Sequence, residues 1–90
     1  PALPLAHPLW LLAAPLALTE RQALPWFEGR PLQLLCGPER IESGWWDGEP
    51  TLRDYFIAQT LSGALVWVYR DRLPPATAPS AAWFLHGRYG

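Results

Sequence analysis

Ninety residues, half of them hydrophobic, with a net charge of −1, describe one domain that can fill a core but lacks a dominant phosphate-binding surface. The seven basic residues are all arginines, which favours bidentate and stacked contacts over diffuse positive charge, and the six tryptophans can each bury roughly 150–250 Å². A lone cysteine excludes an internal disulfide and fits a cytoplasmic setting, and with only two histidines beside it neither a metal site nor any cofactor is expected.

The chain starts on proline, and residues 1–7, with Pro1 and Pro4, read as the remnant of an extended linker from something larger; residues 8–90 read as a single β-rich domain. The apolar run Leu9–Leu18 holds Pro15, is about half the ~20 residues of a spanning helix, and lacks the basic flank of a signal peptide, so no membrane segment is expected. Pro8–Leu12 is predicted as a short buried strand followed by a proline-bearing loop. Leu18–Ala23, with Thr19 as its N-cap, is the one helix-like stretch and is too short for more than a turn. Gly29-Arg30-Pro31 punctuates, and Leu32–Cys36 is a second strand.

Glu39–Glu42 reads as short and extended, and Ser43-Gly44 as a kink or bulge. On extended backbone Trp45 and Trp46 leave on opposite faces, one for the core and one for a partner. Trp46, beside the Asp47-Gly48 turn, is the candidate for the exposed one. Three clear strands follow. Arg53–Gln59 leads through a Thr60–Gly63 turn to Ala64–Arg70, the strongest β segment; Asp71–Ser80 is a proline-rich loop, and Trp83–Tyr89 closes the chain. In the middle strand Leu65, Trp67 and Tyr69 share one face and Val66 and Val68 the other, so it is expected to be central and covered on both sides. The fold expected is mainly β: five to seven short strands, mostly antiparallel, in a small sheet or partly closed barrel with at most a helical turn.

Five segments stand in a specific order: Pro8-Leu9-Trp10-Leu11-Leu12, Gly37 to Trp46 (GPERIESGWW), Arg53-Asp54-Tyr55-Phe56, Trp67-Val68-Tyr69-Arg70 and Trp83-Phe84-Leu85-His86-Gly87. Together they resemble the C-terminal domain of the ImuB family, the Y-family-polymerase-like proteins of the bacterial damage-inducible mutasome, over about residues 8–89. The last three segments also resemble a small family of domains built on the same three strands. The resemblance implies a role in DNA repair by translesion synthesis within the DNA damage (SOS) response. Such proteins act as hubs that join the sliding clamp, the RecA-like ImuA and an error-prone replicative-type polymerase. It brings no catalytic residue to any position here. The partners it implies for the C-terminal part are ImuA and the polymerase.

Among functional readings of the residues themselves, Glu39, Glu42, Asp47, Glu49 and Asp54 are better taken as loop-end charges and partners of Arg40 and Arg53 than as an acid–base pair. An enzyme would have to use Cys36 as nucleophile and His86 as base, without any nucleophile signature. Cys36 is expected to be a small buried residue and His86 a packed or surface one, and no catalysis is expected. Arg40, Arg53, Arg70, Arg72 and Arg88 with Trp45, Trp46, Tyr55 and Tyr69 make a stacking surface for single-stranded DNA the alternative reading. Interleaved carboxylates cancel those arginines, and arginine with tryptophan and tyrosine is also the composition of protein–protein hot spots. A protein partner is therefore preferred to DNA, with Arg40, Trp45, Trp46, Arg53, Tyr55 and Arg70 as the candidate contact residues.

Overall fold

The structure, a computed structural model, describes residues 7–8, 10–43, 50–73 and 82–90. Seven strands, β1 (Trp10–Arg21), β2 (Leu24–Phe27), β3 (Arg30–Pro31), β4 (Gln33–Ser43), β5 (Thr51–Gln59), β6 (Leu65–Asp71) and β7 (Trp83–Arg88), form one antiparallel sheet in the order β3-β2-β1-β7-β6-β5-β4. No residue among those described is helical, and no helix is long and apolar enough to cross a membrane. The mainly β architecture is the one expected, and β5, β6 and β7 pair consecutively as the predicted meander.

The sheet is a curled half-barrel, and the chain itself explains the curl. Its two edge strands, β3 and β4, are separated in sequence by Leu32 alone. In a flat sheet of seven strands the edges would stand ~29 Å apart, six spacings of about 4.8 Å. A single intervening residue spans at most ~7 Å between its neighbours' Cα atoms. Leu32 is 2 % exposed, and its N–H donates to the Pro25 carbonyl at 2.9 Å, so the bridging residue is packed and hydrogen-bonded.

The curl gives the sheet an inner face, where residues from distant strands meet. Leu18, Leu32, Ala58, Val66, Val68, Trp83 and Leu85 form its core, flanked by Leu12, Phe27, Leu34, Phe56 and Ala82. On the outer face Tyr55, Trp67 and Tyr69 form a second cluster with Ile41, Phe84 and Tyr89. Strand β6 feeds both, with Val66 and Val68 inward and Trp67 and Tyr69 outward, all buried, as its two apolar faces predict.

Three local expectations are corrected. Leu18–Ala23 is not a helical turn: β1 runs to Arg21, and Gln22 and Ala23, at φ 54° and 65°, form a two-residue hairpin loop to β2. Positive φ at both loop residues is the tight hairpin geometry that matches strand twist, usually written with Asn-Gly. Glu28-Gly29 repeats the device between β2 and β3. The strand predicted at Pro8–Leu12 does not end before Pro15; a bulge between Leu11 and Leu16 absorbs the proline. Nor is that strand buried, since Trp10 and Leu11 are 57 % and 59 % exposed. The reason is topological, because this half of β1 pairs with β7 alone and only Thr19–Arg21 pairs with β2.

Likewise Leu32–Cys36 and Glu39–Glu42 are one long strand, β4, with register shifts between Leu34 and Glu39 around Gly37-Pro38. Only glycine fits at 37: φ is 124°, and a Cβ there would lie 2.7 Å from the Tyr55 carbonyl oxygen. Ser43 continues the ladder opposite Thr51. The Ser43-Gly44 bulge and the Trp45/Trp46 assignment fall on or beside residues 44–49, outside the described residues, as does most of the predicted loop at 71–80.

Candidate functional site

Period-two alternation on β5 sends Arg53, Tyr55 and Ile57 outward and Asp54, Phe56 and Ala58 inward. Two polar groupings result, back to back across the sheet.

The outer grouping is a hydrogen-bond chain set among rings. Arg53 Nη1 lies 3.2 Å from the Tyr55 hydroxyl, which lies 2.7 Å from His86 Nδ1. Arginine can only donate, so Tyr55 accepts from Arg53, which leaves its own proton available for His86 Nδ1. With Tyr55 as donor, the imidazole is neutral and protonated at Nε2. Burial, reinforced by the Arg53 charge, holds the His86 pKa below its usual value, in keeping with that form. Trp67 stacks on Tyr55 and on His86 at centroid distances of 3.9 and 5.3 Å, and the Arg53 guanidinium sits 4.3 Å over the Tyr69 ring. Burial pushes the Tyr69 phenol up to about 12 and raises that of Tyr55. His7, the last residue of the segment read as linker, meets Glu39 at 3.0 Å and lies 5.0 Å from the Trp67 ring.

The inner grouping is centred on Asp54, which is 7 % exposed. Arg40 on β4 reaches it through Nε at 2.9 Å and Nη2 at 3.3 Å, and Arg72 Nε stands 3.9 Å away. The Arg40 hydrogen bonds, with the charges of Arg40, Arg72 and Arg70, hold the Asp54 carboxyl below the usual aspartate range against the opposing effect of burial. Arg70, directly opposite Asp54 on β6, lies 5.9 Å over the ring of Trp83.

A third feature is apolar. Trp10, Leu11, Leu16, Phe27, Leu65 and Leu85 line an open cleft of about 580 Å³ along the part of β1 that has no second strand beside it.

The candidate contact residues thus do not form one surface. Arg40 and Arg70 join on the inner face through Asp54, whereas Arg53 and Tyr55 belong to the outer chain. Tyr55 is 3 % exposed and acts as a core ring, not as a contact in its own right. Trp45 and Trp46 lie outside the described residues. Of the carboxylates expected to pair with arginine, Asp54 takes Arg40, Glu39 meets His7 instead, and Arg53 turns to tyrosines. Cys36 is exposed, not buried, because β4 is an edge strand. It lies three strands away from His86, roughly 14 Å at the usual spacing, and His86 Nδ1 is held by Tyr55. Among the described residues no three of His, Cys, Asp and Glu are grouped to hold a metal ion. Sequence reasoning missed the exposure of Trp10, Leu11 and Leu16, for which a run of apolar letters carries no signal. It also missed the Tyr55–His86 bond, which joins residues 31 positions apart.

Comparison with protein-family models, with curated proteins and with solved structures found no match to the chain. The fold defines the class: a small, mainly β domain.

Proposed function

We propose that this domain is a non-catalytic protein–protein interaction module, serving in the cytoplasm as the C-terminal part of an ImuB-like protein. There it helps a DNA-damage-induced mutasome recruit ImuA, the error-prone replicative-type polymerase, or both. The mutasome setting rests on the five ordered segments that resemble the ImuB family. The observation that carries the interaction reading is the exposed apolar group Trp10, Leu11 and Leu16, at 57, 59 and 48 %, on the rim of an open cleft. Contiguous exposed apolar side chains of this size mark contact surfaces, and tryptophan is a frequent anchor in them. Of the rings named for a single-stranded DNA platform, Tyr55 and Tyr69 are each 3 % exposed and cannot stack on bases, and Trp45 and Trp46 lie outside the described residues.

The test is capture of ImuA and of the polymerase, separately, by the wild-type chain and by a Trp10→Ala/Leu16→Ala variant. One partner at least is retained by the wild type, and the variant loses it while melting normally. Capture of neither partner, together with oligonucleotide binding that falls steeply with salt, overturns the proposal in favour of DNA.

A further inference from the structure

Strand pairing places Arg40, Asp54 and Arg70 side by side across β4, β5 and β6. Arg72, two residues beyond Arg70, leaves the chain on the same face, and its N–H extends the ladder by donating to the Leu52 carbonyl at 2.7 Å. Glu42, opposite Leu52, is the only other charged residue that the register puts beside them among the described residues. Three guanidiniums therefore face two carboxylates.

Their hydrogen-bonding capacity is far from used. Each guanidinium carries five N–H donors. Among the described residues only Arg40 Nε and Nη2 give hydrogen bonds, both to Asp54. The Arg40 and Arg72 side chains are 56 % and 44 % exposed, while Asp54 beneath them is buried and fixed. Arg70 is partly exposed above Trp83, which gives it a packed floor. Asp54 thus organises the three arginines without satisfying them.

We infer that the Arg40–Arg70–Arg72 cluster is a docking site for an acidic segment of a protein partner, whose Asp or Glu carboxylates take the open guanidinium donors. Carboxylate fits the planar guanidinium fork, as the Arg40–Asp54 pair already shows. A nucleic-acid backbone is disfavoured by the compactness of the cluster, by Glu42 at its margin and by the burial of Trp83, the nearest ring. The inference deepens the interaction-module reading and rests on it.

The experiment titrates a fluorescent decapeptide of alternating glutamate and serine, and in parallel a thymidine decanucleotide, into the 90-residue chain. Arg72→Gln and the double variant Arg70→Gln/Arg72→Gln are compared with the wild type; Arg40 is left intact because it holds Asp54. The peptide is expected to bind the wild type, to bind about tenfold more weakly for each arginine removed, and to lose affinity as salt is raised. Arg72→Gln alone guards against misfolding of the double variant, since among the described residues its side chain makes only the 3.9 Å contact to Asp54. Absence of peptide binding, or binding indifferent to both substitutions, overturns the inference. So does tighter binding of the oligonucleotide at the same arginines. Mutasome partners captured equally by wild type and variants would sink this site and leave the interaction module standing. Peptide binding at the arginines with capture of neither partner would keep the site and remove the mutasome reading.

Discussion

His86 is the side chain most sensitive to solution conditions. Its Nδ1 is held by the Tyr55 hydroxyl, and burial together with the nearby Arg53 charge opposes a proton on the ring. The folded pKa lies below the free value of 6.5, so the unfolded chain binds the proton first as pH falls. Stability from this group is therefore present above about 6.5 and is lost as pH drops through the lower folded value. Melting temperature is expected to decline between pH 7.5 and 5, and His86→Gln should flatten that decline; an unchanged slope in the variant would contradict the lowered His86 pKa. Asp54, also lowered, adds a second loss in the same direction at more acidic pH, below its free value of 3.8. Tryptophans separate by position in the same way. Trp67, 5 % exposed and stacked on two rings, should cost about 3–5 kcal/mol as Trp67→Ala, a large part of the 5–15 kcal/mol typical of a domain. Trp10→Ala, at 57 % exposure, should stay within about 0.5 kcal/mol. Denaturant titration of both variants decides, and similar losses would mean that Trp10 is part of the core.

Among the elements, β4 tolerates a proline inside eleven residues only because the ladder shifts register around it. Gly37 is the pivot. An added Cβ would meet backbone, the Tyr55 carbonyl oxygen at 2.7 Å, which cannot move without disturbing β5. Gly29 also has positive φ, yet nothing lies within 4 Å of its Cβ position. Gly37→Ala is accordingly expected to cost about 1–3 kcal/mol more than Gly29→Ala, the excess combining the overlap with a φ of 124° that suits an L residue less than the 75° of Gly29. Equal losses in equilibrium unfolding would show that the close approach to β5 is relieved at no cost. The same logic accounts for β1: its proline is absorbed by a bulge, and the strand continues far enough to seat Leu18 against the inner core.

For the molecule as a whole, Leu32 is the closure. It joins the first and last strands of the sheet, is 2 % exposed, and packs in the inner core with residues from β1, β5, β6 and β7. Leu32→Ala is expected to destabilise by about 2–5 kcal/mol, because it removes a fully buried side chain where the two edges meet and leaves a cavity in the inner core. A loss below about 1 kcal/mol, measured by urea unfolding, would show that the curl is maintained without it. Far-ultraviolet circular dichroism should show β signal without a helical component, the spectrum expected of strands alone.

The mainly β class, the meander of β5, β6 and β7 and the burial of β6 on both faces were legible in the residues. Each depends on period-two alternation and turn chemistry, which act over a few neighbours. The hairpin at Gln22-Ala23 was not legible, because neither residue advertises positive φ and the surrounding letters suit a helix equally well. Nor was the division of the arginines. Arg40, Arg53 and Arg70 look interchangeable along the chain, yet register sends Arg40 and Arg70 to Asp54 on the inner face and Arg53 to Tyr55 on the outer. A shift of one residue in that register would exchange the two faces, and register is set by pairing between segments far apart in sequence. Local chemistry therefore determined which stretches become strands, and only the assembled sheet decided which side chains meet.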